Sequence, residues 1–310
     1  DPVIDTQAIA AQEVCQNASL LDLTITVSGG VTSSTFDYQW YSNTTNNNTG
    51  GTPIAGANTN TYTPDNTTIG TLYYYVVVTQ TESGCEVISN TSEVTITPGP
   101  TIVTQPVDSE VCLDGVANQL TIVTQNGVGI PTYQWYTNTT NSTSGGTPIA
   151  GATNSTYDPP TNTVGQIFYY VTIAFQGGCD LISSDVASVV VVQEPVAVAN
   201  NPLQIVCLDG TPDDFQITLT GGLGNPSYQW YSNTTNNNTG GTLIAGATTS
   251  TYNPGVLTAI SSNYYYVEVT LDGVGCDTAI SDVFAVEVVA DPVIDTQAIA
   301  AQEVCQNASL

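Results

Sequence analysis

Three residue types in this chain could carry chemistry: 7 Cys, 17 Tyr and 27 Asp plus Glu, set among 310 residues with no Lys, Arg, His or Met. Thiols pair as disulfides or hold metal. No Cys-x-x-Cys pair and no His are present, so a zinc site is disfavoured and disulfides are the expected chemistry. The acids offer at most a calcium site. Glu86, Asp180 and Asp277 each follow a cysteine directly, and Glu13, Glu110 and Glu303 each sit two residues before another, although Ile205 breaks that series. These are candidate calcium ligands, but there is no EF-hand loop, and the plainer reading is solvated turn acids. No other cofactor is expected. An enzyme would need a paired acid and base or an activated nucleophile, and no such pairing is visible. With a formal charge of −27 and no cation, a nucleic-acid partner is excluded. No apolar run is long enough to insert in a membrane. Lysine-based chemistry, including Lys–Asn isopeptide staples, is impossible.

The elements that must position these residues repeat. Trp40, Trp135 and Trp230 stand 95 residues apart in a Tyr-Gln-Trp-Tyr motif. One cysteine series runs Cys15, Cys112, Cys207 and Cys305, and a second runs Cys85, Cys179 and Cys276. Residues 291–310 restate residues 1–20. The spacing predicts three domains, 1–98, 99–193 and 194–290, followed at 291–310 by the first strand of a fourth. The chain reads as an excerpt of a longer array.

Each unit reads as about seven short strands with no helical periodicity. In the first, strands are predicted from Val3 to Val14, from Leu21 to Val27, around Trp40, at Tyr62, from Leu72 to Thr79 and over Ser92–Thr97. The fold class is therefore all-β, a tandem array of three immunoglobulin-like (Ig-like) β-sandwiches. Comparing units assigns the faces. Val77 is matched by Thr172 and Glu268, so that position faces water, and Val76, Val171 and Val267 face inward. Tyr74, Tyr169 and Tyr265 share the inner face with Trp40, Trp135 and Trp230 as core. Tyr74 stands two residues before the position of the usual second core Cys, which here is Val76, so apolar packing replaces the core disulfide.

The segments YQWYSNTTNNNTGGTPIAGANTNTYTP and GTLYYYVVVTQTESGC, with their copies, resemble the tandem Ig-like repeats of very large Bacteroidota surface proteins. Those proteins are associated with gliding motility and type IX secretion, with SprB-type adhesins as functional relatives. The resemblance covers every unit and implies an extracellular, cell-surface stalk or filament.

Two disulfide maps are open. Pairing within a unit gives Cys15–Cys85, Cys112–Cys179 and Cys207–Cys276. In Ig topology, however, the first cysteine precedes the second strand and the other follows the sixth, and these strands run the same way. Their ends lie at opposite poles, roughly 20–25 Å apart, whereas a disulfide needs Cα atoms about 5.5 Å apart. Pairing between neighbours, Cys15–Cys179 and Cys112–Cys276, is therefore favoured, with Cys85, Cys207 and Cys305 bonding units outside these pairs.

The outward face carries a second aromatic set. Tyr73, Tyr75, Phe168, Tyr170, Tyr264 and Tyr266 face out by parity, beside Tyr41, Tyr136 and Tyr231 on the adjacent strand. They are candidate surface contacts for glycans, for sibling filaments or for a folded-over loop, or they are ordinary cross-strand packing. Joints are short: Gln193, Glu194 and Pro195 alone separate two strand-like runs, which predicts a semi-rigid array. The leading expectation is a structural stalk whose partners are its own adjacent repeats and sibling filaments. The alternative is a carbohydrate-binding module that uses the tyrosine clusters.

Overall fold

The computed structural model describes residues 1–31 and 35–296. The expected fourth-unit strand falls largely on 297–310, so it lies outside the described residues, as do Glu303 and Cys305. The chain divides into two compact units. One comprises Asp1–Ser109, Asn118–Pro159 and Gln166–Val189, and the other Glu110–Ala117, Pro160–Gly165 and the chain from Val190 onward. Secondary structure among the described residues is β throughout.

The first repeat shows how each sandwich is built. Its strands are β1 Pro2–Thr6, β2 Ala11–Cys15, β3 Leu23–Thr24, β4 Thr26–Gly29, β5 Phe36–Asn43, β6 Thr52–Pro53, β7 Thr61–Tyr62, β8 Gly70–Gln80, β9 Glu86–Ile88 and β10 Ser92–Thr97. One sheet runs β2-β10-β8-β5-β6, with β9 continuing the β10 edge along β8. Opposite it lie two short ribbons, β1-β4 and β3-β7. β2 runs parallel to β10, from Ala11 beside Glu93 to Cys15 beside Thr97. The other pairings in this repeat are antiparallel, with Trp40 opposite Val76 and Tyr41 opposite Tyr75.

Alternation explains the layers. Along β10, Ser92, Val94 and Ile96 are buried and their neighbours half-buried. Trp40, Val76 and Val78 are fully buried, and Tyr74 nearly so, in one core with Leu23 and Ile25. The third repeat repeats the plan. Leu203–Cys207 lies parallel to Phe284–Val289, and Trp230 packs with Phe215, Val267 and Phe284.

Two strand expectations need correction. The single first strand over Val3–Val14 is two strands on different sheets: β1 pairs with β4 and β2 with β10. Residues 7–10 carry the chain across, and Gln7 anchors the crossing by accepting the Asn90 N–H at 2.9 Å. Alternation is kept on both sides of the crossing, so sequence parity does not reveal it. The second strand starts at Leu23 rather than Leu21 and is interrupted at Ile25, which donates its N–H to Asn60 O at 3.0 Å.

Candidate functional site

The cysteines mark the joints between repeats. Each first cysteine ends an edge strand and opens a tight turn, which needs a residue at positive φ two places on. Asn17, Asp114 and Asp209 supply it at φ 68°, 61° and 62°. The turn closes through Ala18 N–H to Cys15 O at 3.0 Å and Gly115 N–H to Cys112 O at 2.9 Å. Each second cysteine follows a glycine turn after the long central strand.

The structure joins Cys15 to Cys179 and Cys112 to Cys276, each with Cα atoms 5.0 Å apart and 164 residues of separation. Each pair lies inside one compact unit. The within-repeat pairs Cys15–Cys85, Cys112–Cys179 and Cys207–Cys276 are not formed. Cys85 and Cys207 are free thiols, the first half-buried and the second exposed.

Backbone contacts reinforce both bonds. Cys15 N–H donates to Gly177 O at 2.9 Å and Cys112 N–H to Val274 O at 3.0 Å. The chains approach so closely that glycine is required. A Cβ on Gly178 would lie 2.8 Å from the Ala18 Cβ, and one on Gly275 would lie 2.5 Å from the Gly115 Cα. Val128 and Cys179 of the second repeat pack into the first repeat's core, beside Val14, Cys15 and Ala18. The joints themselves are hydrogen-bonded to the repeat that follows. Gly127 N–H donates to Pro98 O at 3.2 Å, Gly222 N–H to Gln193 O at 2.7 Å, and Asp277 N–H to Glu194 Oε2 at 2.8 Å.

Of the roles open to the outer aromatics, the structure has cross-strand packing beneath a folded-over loop. Tyr75, Tyr170 and Tyr266 lie on the outer face but are only 2–4% exposed. Each stacks flat on its cross-strand partner: Tyr41 on Tyr75 at 5.1 Å, Tyr136 on Tyr170 at 4.9 Å, and Tyr231 on Tyr266 at 5.1 Å. A loop then folds over the stack. Gly51 N–H donates to the Tyr75 hydroxyl at 3.0 Å and Gly241 N–H to the Tyr266 hydroxyl at 3.0 Å. A Cβ on Gly51, Gly146 or Gly241 would strike the tyrosine beneath. The loop's shape is set by its own side chains, because Asn43 Nδ2 donates to Asn47 O and Thr49 O. What remains at the surface is half-buried: Tyr41, Tyr73, Tyr136, Phe168, Tyr231 and Tyr264.

The inner aromatics are core. Trp40, Trp135 and Trp230 are fully buried, and each indole N–H donates to a backbone carbonyl, on Thr59, Asn154 and Thr249 respectively. Tyr74, Tyr169 and Tyr265 are buried beside them. Burial pushes Tyr74 up to about 12, with Tyr62 and Asp65 adding to it. Tyr169 is likewise pushed up to about 12 by burial, then by Tyr157. An unfolded tyrosine ionises near 10. The unfolded chain therefore loses these protons first, so their contribution to stability is whole below pH 10 and is lost as pH rises through 12. In an alkaline titration followed by phenolate absorbance and circular dichroism, these phenols are expected to ionise together with unfolding. Full ionisation of all tyrosines in a folded chain would contradict this.

The acids do not converge. Among the described residues no group of three or more Cys, Asp or Glu is placed to hold a metal, and Glu86, Asp180 and Asp277 are all exposed. Glu86 accepts from the Thr79 hydroxyl at 3.3 Å.

One recurrent site escaped the sequence reading. Ser89, Ser184 and Ser281 are buried where the last strand breaks, and each hydroxyl accepts the N–H of Val76, Val171 or Val267 at 3.0 Å. The repeated Ser-Asn or Ser-Asp pair was the available signal. Among the described residues no buried side-chain polar atom lacks a partner.

Comparison with known proteins agrees with this architecture. A family model described as "Domain of unknown function (DUF8696)" matches residues 5–98, 102–193 and 197–290. No curated protein matches the chain. Among solved structures, the I-band fragment I67-I69 from titin is similar at 12% identity and TM-score 0.50, covering 94% of this chain and 99% of that one. An E-to-A variant of the same three titin domains is similar at 13% identity and TM-score 0.51, again over 94% and 99%. At such identities the likeness is one of fold: three Ig domains in tandem.

Proposed function

The chain belongs to the family described as Domain of unknown function (DUF8696), as three successive copies, and from the way those copies are joined we propose that it is the stalk of an extracellular surface adhesin or appendage. It is a tandem Ig-like repeat array with two disulfides. The observation that carries the proposal is where those bonds fall. Neither closes a loop within one repeat, and each fastens a repeat to its neighbour. Such bonds do not create a ligand site, but they hold a joint in one geometry.

Three further features support a semi-rigid rod. The joints are a few residues long and proline-containing. They are hydrogen-bonded to the following repeat. The surface carries negative charge without any side-chain cation, which keeps neighbours apart at low salt. Disulfides persist in oxidising compartments, which supports a location outside the cell. Together with the sequence resemblance to Bacteroidota repeat proteins, the reading extends to a type IX secreted, gliding-associated adhesin of the cell surface, with sibling filaments as lateral partners. No catalytic role and no cofactor belong to it. The carbohydrate-binding alternative is weakened because Tyr75, Tyr170 and Tyr266 lie under a loop.

Small-angle scattering of the oxidised chain tests the proposal. A compact globule of this length has a radius of gyration of about 20 Å. The rod is expected well above that value with a linear cross-section region. A value near the globular one would overturn it.

A further inference from the structure

The chain holds a single Asn-Gly pair, Asn126-Gly127. It forms the corner between the strands Val123–Gln125 and Val128–Asn138, with both residues at positive φ, 61° and 82°. The same corner is Gly29-Gly30 in the first repeat and Gly221-Gly222 in the third, again at positive φ. Asparagine is among the few other residues that adopt this conformation. Position 126 therefore satisfies the corner while adding a carboxamide. Asn126 is exposed, and its carboxamide has no hydrogen-bond partner among the described residues.

The second position is closed to any side chain. A Cβ on Gly127 would lie 2.7 Å from Phe175 Cδ1. A glycine after asparagine leaves nothing to hinder attack of its backbone nitrogen on the asparagine Cγ, the first step of succinimide formation. The corner is also part of the joint between the first two repeats. Gly127 N–H donates to Pro98 O at 3.2 Å. Val128 donates its N–H to Cys179 Sγ at 3.4 Å and is buried in the first repeat's core with Val14, Cys15 and Ala18. The attacking nitrogen is thus held in the joint, its proton spent on Pro98 and its peptide plane fixed by Val128. A closed joint protects Asn126, and an open one frees the reaction.

We propose that Asn126 is a modification site: when the joint opens, water converts it to isoaspartate through a succinimide, and the converted joint does not reclose. In the first step the Gly127 nitrogen bonds to Asn126 Cγ, the Cγ–Nδ2 bond breaks, and ammonia leaves with the proton of that nitrogen. Water then adds at the main-chain carbonyl of residue 126 and cleaves its bond to the Gly127 nitrogen. The main chain now runs through Cβ and Cγ, and the former main-chain carbonyl carbon becomes a free carboxylate. Addition at Cγ gives aspartate instead, with an ordinary backbone. Water is the only reagent. The lengthened backbone carries Gly127 away from Pro98 and Val128 out of its core. The new carboxylate joins a surface with no side-chain cation to offset it. The corners of the first and third repeats carry no asparagine, so the change is confined to this joint. The inference needs only the joint and is independent of the stalk reading.

Ageing the full chain in warm neutral buffer tests it. Peptide mapping with isoaspartate methyltransferase labelling reads conversion at each asparagine, and hydrogen exchange reads the joint. Asn126 is expected to convert before any other asparagine. The guanidinium-unfolded chain should convert fastest and the Cys15→Ala, Cys179→Ala chain more slowly. The oxidised parent should be about tenfold or more slower than the unfolded chain, as an opening cost of only about 1.4 kcal/mol would give. In the aged parent the Gly127 and Val128 amides should lose protection while the Trp230 amide keeps its own. Asn126→Gly, which restores the corner of the other repeats, should age without that loss. Equal conversion in the oxidised and unfolded chains, a joint variant no faster than the oxidised parent, or another asparagine converting first would each overturn the inference. So would native protection at Gly127 in the aged parent, or its loss in aged Asn126→Gly.

Discussion

Trp40→Ala is expected to unfold the first repeat or leave it barely folded while the third keeps its structure. The indole is fully buried and its N–H is spent on Thr59 O at 2.9 Å. It packs against Tyr62, with ring centroids 5.9 Å apart, and Tyr62 in turn packs against Tyr74. Truncating such a residue costs about 3–5 kcal/mol, and the Thr59 carbonyl loses its donor. Domain stabilities are about 5–15 kcal/mol, so the loss approaches the whole at the lower end. Val128 and Cys179 share this core, so the adjoining edge of the second repeat should loosen too. Hydrogen exchange read by mass spectrometry checks the result. Protection should vanish over residues 1–98, weaken near Val128, and hold over 197–290. Unchanged protection in the first repeat would show that the core does not depend on the indole.

Removing the first junction has the second large effect. Cys15→Ala with Cys179→Ala opens a bond spanning 164 residues. Constraint of the unfolded chain by so wide a loop amounts to about 5 kcal/mol in the chain-entropy model, with about 2–4 kcal/mol typical of measured bonds. The stabilisation is felt by the first two repeats together, because only their joint unfolding releases the loop. In guanidinium, the oxidised chain is expected to lose these two repeats in one transition, and the variant in two transitions at lower denaturant. Alanine avoids leaving a polar group at Cys15, which is 2% exposed. Coincident midpoints for variant and parent would mean that the backbone contacts at Gly177 and Gly178 hold the joint unaided.

Local rules reach some parts of this structure and not others. Strand parity is local, so Trp40, Val76 and Tyr74 could be placed inside from alternation and from the Glu at 268. Strand polarity follows from fold class, and it is enough to show that Cys15 and Cys85 end at opposite poles. The covering of Tyr75 is not local. Gly51 reaches it from the loop that joins β5 to β6, and outward parity says nothing about what such a loop lays on top. The passage of the first strand between sheets is hidden for a related reason, since β1 and β2 each bury a face of their own. Ser89 shows a third limit. A buried hydroxyl is tolerated because one backbone N–H, on Val76, needs an acceptor where the last strand breaks, and that need appears only once the strands are paired.

The two disulfides interleave along the chain, in the order Cys15, Cys112, Cys179, Cys276. This has a consequence for a chain pulled from its ends. Four covalent routes connect Cys15 to Cys276, and the shortest crosses to Cys179, returns backward along the sequence to Cys112, and crosses again. Once the chain is taut, tension follows that route. Residues 16–111 and 180–275 hang as slack side loops, and the only stretch between the bonds that carries the pull is 113–178, drawn in reverse. An oxidised chain therefore cannot pay out most of its length however hard it is drawn, and the first repeat beyond Cys15 and the third repeat before Cys276 are spared from stretching. Reduction removes both shortcuts at once, and the whole contour becomes available.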